Sequence, residues 1–184
     1  MSDHGGWAIL VAVAKDGTLL DRRRVELVDD DLPGIPHHHQ GQRLPMGAAV
    51  ALVERVRASA ERHAVLAFDA VAAAVPDIEG VALRSCPDLP PTIAERITDH
   101  RARNVADWVM YRRALAAAAE QRGWNVQWFD SKSVVAEAGN ALRLDFGDYF
   151  ARMRRDVGPP WNNDHKLAMA AAVVAANGLP TALH

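Results

Sequence analysis

The sequence predicts an α/β fold in which a mixed sheet, with a leading antiparallel hairpin and parallel strands, carries helices on both faces. Three observations predict this class. A turn signal, Lys15-Asp16-Gly17-Thr18, separates two strand-like runs near the start of the chain. Two long helical patterns occupy the middle. Short apolar runs alternate with those helices, which favours parallel pairing through right-handed crossovers.

The first half begins as sheet and continues as helix. We expect strands at Trp7 to Ala14 and at Leu19 to Val28, on either side of the turn. The stretch from Asp29 to Pro36 contains two prolines and an acidic run, so it is a loop. Met46 to Val75 has apolar residues at helical spacing, and Pro76 ends that helix.

The second half alternates strands with helices. Gly80 to Ser85 is short and apolar between helix breakers, as is typical of a buried strand. A second long helix is expected from the prolines at Pro87 to Pro91 to about Arg122, with Gly123 as its C-terminal cap. The remaining predicted elements are a strand at Asn125–Phe129 and helices at Ser133–Leu142, Asp145–Val157 and, almost purely apolar, Leu167–Ala176.

Composition and charge narrow the class of protein. The 184 residues, 49% apolar and 24% charged, fit one domain spanning 1–184. The net charge of −2 provides no global basic surface for tight nonspecific phosphate binding, although a local patch is compatible with it. Cys86 is the single cysteine, which excludes an intramolecular disulfide. The sequence has no signal-peptide pattern and no long uncharged apolar run, so we expect a cytoplasmic protein without a membrane partner. Whether the chain forms a homodimer is left open.

The order of hairpin, helix, strand, helix, strand and helices resembles the ribonuclease H-like fold, in particular its RuvC-like resolvase branch. The best local match is Asp164, which precedes an alanine-rich helix where that family places an acidic metal ligand. The hairpin from Trp7 to Val28 is a weaker match. The resemblance implies a nuclease site of three or four carboxylates around two divalent cations. However, Trp7 to Ala14 contains no acid, and Val81 to Ser85 carries Arg84 instead of one, so the resemblance predicts the fold without the two-metal chemistry.

Asp164 and His165 are the first candidate site residues. They follow Trp161-Asn162-Asn163 at the start of the last helix, and Gly158-Pro159-Pro160 restricts the backbone before them. Asp164 is interpreted either as a helix cap or as a catalytic or metal-binding carboxylate facing the strand ends. His165 is either an exposed first-turn residue or its partner in that site.

A run of histidines, His37-His38-His39, is the second candidate. In an extended segment His37 and His39 point to one side, where they could bind a divalent cation if a carboxylate such as Asp164 joined them. The alternatives are a solvated loop or histidines that bond the loop backbone. In the second long helix, Asp107 and Tyr111 are four residues apart and are expected to bond each other.

Asp130 is the third candidate, because ligands bind beyond the carboxyl ends of strands in open α/β sheets. It directly follows the strand Asn125–Phe129, and Arg84 ends the neighbouring predicted strand. If the strands are adjacent, Arg84, Asp130 and Asp164 would share one rim. The alternative is that Asp130 caps the next helix.

Three functions stay open at this point. The preferred one is a ribonuclease H-like domain that lacks two-metal nuclease catalysis and acts in binding or assembly, with nucleic acid or another protein as its partner. The second is a divalent-metal-dependent nuclease whose carboxylates lie at displaced positions, namely Asp16, Asp130 and Asp164. The third is a small-molecule or metal-binding protein that uses the His37–His39 loop.

Overall fold

The structure, a computed structural model, describes residues 1–178. Its strands are β1 (Ser2–Asp3), β2 (Trp7–Val13), β3 (Leu19–Glu26), β4 (Gly80–Arg84) and β5 (Asn125–Phe129). Its α-helices are α1 (Met46–Ala74), α2 (Ile93–Thr98), α3 (His100–Gln121), α4 (Val134–Leu142), α5 (Phe146–Val157) and α6 (Asn163–Ala176). A wide π-type turn over Pro36–Gln40 and a 3-10 turn over Gly41–Arg43 connect β3 to α1.

The predicted hairpin and the predicted parallel pair are both present. β2 and β3 pair antiparallel across the Asp16-Gly17 turn, and β4 and β5 pair parallel, with Arg84 opposite Phe129. A further strand precedes the hairpin: β1 pairs antiparallel with β2. The run that the sequence predicted as the first strand is therefore the second.

The expectation of one continuous mixed sheet is wrong for the described residues. Their strands form two separately hydrogen-bonded sheets, β1-β2-β3 and β4-β5. β1 lies between the two sheets. The Met1 amine donates to the Ala82 carbonyl of β4 at 2.9 Å, and Arg112 connects Asp3 to the carbonyl of Ser85 just beyond β4. β1 thus runs in the same direction as β4, and the spatial order is β3-β2-β1-β4-β5. The ladder is interrupted because β1 has only two residues.

Helices cover both faces of this strand layer. On one face, α1 and α3 pack with Leu10 of β2 and Leu83 of β4 in a core that includes Phe68 and Tyr111. On the other face, α4 and α6 pack against residues that alternate with these along the strands, namely Ile9, Val11, Ala82 and Phe129. Both sheets contribute to both cores, which confirms an α/β architecture with helices on two faces.

The second long helix is shorter than predicted, because the chain breaks it at Asp99. The Asp99 side chain accepts a hydrogen bond from the Ala102 amide at 2.7 Å and so caps α3. Thr92 and Glu95 form a capping box at the start of the separate helix α2. Two local caps therefore outweigh the continuous helical pattern. Within residues 1–178, no helix is long and apolar enough to cross a membrane.

Candidate functional site at the carboxyl ends of the strands

Asp164 ties the start of α6 to the amino-terminal segment. Its Oδ1 accepts a hydrogen bond from Ser2 Oγ at 3.1 Å and lies 2.9 Å from His4 Nε2. The His4 ring stacks on Trp7 with the ring centroids 3.9 Å apart, which fixes the imidazole beside the carboxylate. Asp164 therefore faces the carboxyl end of β1.

The cap of α6 is Asn162 and not Asp164. The Asn162 side-chain oxygen accepts hydrogen bonds from the Asp164 and His165 amides at 3.1 and 3.3 Å. The His165 ring completes a capping box and packs beside Trp161, with only 4% of the residue exposed. His165 thus turns toward the core, and the structure does not place it with Asp164 in one open site.

The surroundings of His165 disfavour its charged form. Burial lowers the pKa of the imidazole, and the nearby Arg22 guanidinium lowers it further, while Asp164 acts in the opposite direction. Arg22 is itself held by carbonyl oxygens of the segment before α6, including that of Pro160 at 2.7 Å. This end of α6 is therefore rigid and carries a neutral imidazole near neutral pH.

We use the word rim for the carboxyl ends of β1, β4 and β5. Asp3 lies at this rim, and the sequence did not point to it. Its side chain is fully buried in β1, and Arg112 Nε of α3 donates to its Oδ2 at 2.8 Å. Its Oδ1 is buried and has no hydrogen-bond partner among the described residues. A first-strand acid was expected in Trp7–Ala14, but that stretch contains the second strand. The available signal was an acid two residues before the Gly5-Gly6 turn, in which Gly6 adopts a φ of +91° that favours glycine.

Arg84 and Asp130 lie at the adjacent carboxyl ends of β4 and β5, because Arg84 is opposite Phe129 and Asp130 comes next in the chain. The Arg84 Nε is buried and has no hydrogen-bond partner among the described residues. Asp130 is exposed, and its Oδ1 accepts from the Lys132 amide at 2.9 Å, which stabilises the turn before α4. In the part of the chain described, no hydrogen bond joins Arg84 or Asp130 to Asp164, and no ion pair joins Arg84 to Asp164, whose partners are Ser2 and His4.

Asp16 lies far from this rim. It occupies the turn beyond β2, where its Oδ1 accepts from the Thr18 amide at 2.9 Å. β2 has seven residues, so its ends are about 20 Å apart at the usual rise of a strand. Asp164 contacts the segment before the other end of β2. A metal site that combines Asp16 with Asp164 is therefore wrong on geometric grounds.

Arginines gather beside the rim, around the loop that follows β4. Arg113 of α3 lies close to Arg96 of α2, and the pKa of Arg96 is lowered by burial and then by the charge of Arg113. Arg112 and Arg113 also lie beside Cys86, whose thiol pKa is nonetheless raised because burial outweighs the two positive charges. Within residues 1–178, neither Arg96 nor Arg113 forms an ion pair. We refer to Arg84, Arg96 and Arg113 as the arginine rim.

The histidine run is not extended, so His37 and His39 do not share a side. Pro36–Gln40 forms the π-type turn, in which His37 is 1% exposed and His39 points to solvent. His37 Nδ1 lies 2.7 Å from Asp107 Oδ1, and the carboxylate also accepts from the His37 and His38 amides at 3.0 and 3.2 Å. The predicted bond between Asp107 and Tyr111 is wrong, because the Tyr111 hydroxyl donates to the Gly34 carbonyl at 2.9 Å.

The His37–Asp107 pair is buried in the core between the π-type turn and α3. His37 Nε2 has no hydrogen-bond partner among the described residues. Because Nδ1 faces a carboxylate, it carries the proton that the carboxylate accepts. Residues 1–178 contain no group of three or more His, Cys, Asp or Glu side chains placed to hold a metal ion. The hydrogen bonds from His37 and His38 to Asp107 fasten the loop to α3.

No protein-family model, curated protein or solved structure matches the chain.

Proposed function

We propose that the chain is a ribonuclease H-like domain that binds nucleic acid at the rim without cleaving it by two-metal catalysis. The strand order β3-β2-β1-β4-β5, with helices on both faces, supports the fold part of this proposal. The position of Asp3 on the first strand and of Asp164 at the start of the last helix supports it as well, because both meet the carboxyl end of β1.

The observation that carries the functional part is the pairing of both rim carboxylates with the chain's own donors. Asp3 is bound by the Arg112 guanidinium, and Asp164 lies against His4 and accepts from Ser2. Two-metal catalysis requires several carboxylates whose charge is available to the cations. Here an arginine is already the counterion of Asp3, and Arg84 stands at the strand end where the sequence analysis sought a further acid.

The arginine rim gives this region the charge that a phosphate backbone requires. Among the described residues, Arg84, Arg96 and Arg113 form no ion pair, and guanidinium groups bind phosphate oxygens in a bidentate manner. Arg96 already donates to the carbonyl oxygens of Pro90 and Pro91, whereas Arg113 is exposed. The net charge of −2 means that attraction is local, so binding should be modest and strongly salt-dependent.

Fluorescence anisotropy with single-stranded and branched oligonucleotides tests the binding. Arg113→Glu should weaken binding at all sequences, and Arg113→Ala should reduce the slope of log K against log salt concentration by about one. Arg155→Glu, an exposed position near the end of α5, is the matched charge control and should change binding far less. Equal losses for Arg113→Glu and Arg155→Glu would refute binding at the rim.

A magnesium-dependent cleavage assay on the same substrates tests the absence of catalysis. We expect no cleavage above the level of an Asp3→Asn variant. Robust cleavage that both Asp3→Asn and Asp164→Asn abolish would instead establish a two-metal nuclease, in which the Arg112 and His4 contacts exchange for cations.

A further inference from the structure

A cavity of about 610 Å³ lies between β2 and β4, at the opposite end of these strands from the rim. Sites for small molecules in proteins typically measure about 300–1,000 Å³, so the volume suits such a ligand. Three segments contribute most of the lining: the end of β2 and the turn after it, the connection from α1 to β4, and the end of α6, namely residues 10–15, 75–82 and 175–178. We call this space the inter-sheet cavity.

Apolar side chains form the two broad walls of the inter-sheet cavity. On the α1 side, Phe68 and Val71 are buried in the core, and the Phe68 ring packs against Trp124 with the ring centroids 5.3 Å apart. On the α6 side, Ala172 and Ala175 present only methyl groups. Because these walls belong to the helical layers on either side of the strands, the space between them lies in the plane of the strands. It therefore suits a flat ligand.

The two narrow sides of the cavity are strand edges with free backbone groups. On β2, the Trp7 carbonyl accepts from the His4 amide, so the backbone groups of Val11, four residues further on, point to the same side and into the cavity. On β4, the Glu79 carbonyl bonds to β5, so the N–H and C=O of Gly80 point toward β2. Among the described residues these groups of Val11 and Gly80 have no partner across the cavity. A ligand that fills the cavity must therefore carry both donors and acceptors on its edges.

A buried side-chain acceptor adds to these backbone groups. Gln127 of β5 lines the cavity, and its Nε2 donates to the Ala175 carbonyl of α6 at 3.3 Å, which fixes the orientation of the side-chain amide. The Gln127 Oε1 is buried and lacks a hydrogen-bond partner within residues 1–178. Buried acceptors normally have a donor, and an amino group on the ligand supplies one here.

Acidic side chains surround the exposed end of the cavity. Glu79 Oε2 lies 3.7 Å from Lys15 Nζ, whereas Asp77 forms no ion pair in the part of the chain that the structure describes. Both Asp77 and Glu79 are exposed. Carboxylates accept hydrogen bonds from hydroxyl groups and repel anions. The entrance therefore favours a ligand with an uncharged, hydroxyl-bearing substituent over one with a phosphate.

We propose that the inter-sheet cavity binds a neutral nucleoside with an amino-substituted purine base, represented by adenosine. The flat base lies in the plane of the strands, between the α1 and α6 walls. On one edge of this base a ring nitrogen accepts beside an amino group that donates, which matches the N–H and C=O that a single strand residue directs to one side. The ribose hydroxyls donate to Asp77 at the entrance. This inference concerns the opposite end of the strands from the rim and does not rest on the proposed function.

Isothermal titration calorimetry and amide chemical shifts of the full chain test the proposal. Adenosine should bind and shift the amide signals of Val11 and Gly80. Purine riboside, which lacks the amino group, should bind roughly tenfold more weakly. Ala175→Phe should abolish adenosine binding because the larger side chain fills the space between the walls. Ala151→Phe, at an exposed position of α5, is the matched control and should leave binding unchanged.

A second variant, Asp77→Asn, tests the entrance without disturbing the core, because Asp77 is exposed. Asp77 adopts a φ of +60°, which asparagine tolerates as well. Wild type should bind adenosine 5′-monophosphate more weakly than adenosine, and Asp77→Asn should narrow that difference.

Three results would overturn the proposal. The first is the absence of both heat and amide shifts at Val11 and Gly80 with adenosine at its solubility limit. The second is adenosine binding that a folded Ala175→Phe variant retains in full, which would place the nucleoside elsewhere. The third is binding of a short Val-Ile peptide by a chain that does not bind adenosine, which would assign the cavity to a polypeptide.

Discussion

Replacement of Asp107 by asparagine is expected to destabilise the protein far more than its modest change in shape suggests. The carboxylate accepts three hydrogen bonds in the core: from His37 Nδ1 at 2.7 Å, from the His37 amide at 3.0 Å and from the His38 amide at 3.2 Å. Asparagine has a single acceptor oxygen. If that oxygen takes the place of Oδ1, the amide nitrogen faces the His38 N–H, and two donors oppose each other.

The magnitude follows from the bonds lost. A hydrogen bond to a charged group contributes about 1.5–3 kcal/mol, and a buried donor without a partner costs about 1–3 kcal/mol. We therefore expect Asp107→Asn to reduce the free energy of unfolding by about 2–3 kcal/mol. Asp107→Ala, which leaves all three donors unpaired, should cost about 3–5 kcal/mol.

Urea unfolding followed by circular dichroism measures these changes. Asp130→Asn is the matched control, because Asp130 is exposed and asparagine forms the same turn, so its effect should stay within about 0.5 kcal/mol. If Asp107→Asn and Asp130→Asn have equal stability, the carboxylate does not hold the π-type turn against α3 and the reasoning fails.

Three more predictions follow from the region around the rim. His165 has a lowered pKa in the folded state, so its contribution to stability is complete above the unfolded pKa of about 6.5 and is lost as pH falls below it. His165→Gln should therefore make the urea midpoint depend less on pH between pH 7 and 5 than in wild type, and an unchanged dependence would contradict the burial of a neutral ring. Cys86 has a raised thiol pKa, so at pH 8 it should react with a disulfide reagent more slowly than a cysteine in an unfolded peptide. A faster reaction would show that the nearby arginines affect the thiol pKa more than burial does. Asp164→Asn keeps an oxygen that can accept from Ser2 and His4, and the cap of α6 is Asn162. The free energy of unfolding in a thermal melt should therefore fall by about 1 kcal/mol or less, and a loss above about 3 kcal/mol would show that the charge itself is required.

The sequence was sufficient where a local signal determines the structure. The hairpin follows from Asp16-Gly17, in which Gly17 adopts a φ of +89°, and the parallel pair follows from apolar runs between helices. The break between α2 and α3 was also encoded locally by the cap at Asp99, but the regular helical pattern on both sides concealed it.

The candidate site was less accessible, because its contacts join distant residues. Asp164 was found from its place before an apolar helix, whereas its partners Ser2 and His4 are about 160 residues away. Asp3 was missed because a two-residue strand carries no periodic pattern. The partner of His37 was missed because Asp107 was paired with its helical neighbour Tyr111, while the three donors of the π-type turn offered the carboxylate a better set of bonds.

The carboxylates that matter here share one property: each is bound by a donor from a distant part of the chain. Arg112 of α3 reaches Asp3 of β1, and His4 reaches Asp164 of α6. Since the first contact joins the strand layer to one helical layer and the second joins it to the other, the two pairs hold the rim between both layers. A carboxylate cluster that binds two cations must keep enough negative charge available to them. Both carboxylates therefore contribute to the stability of the fold at this end of the strands.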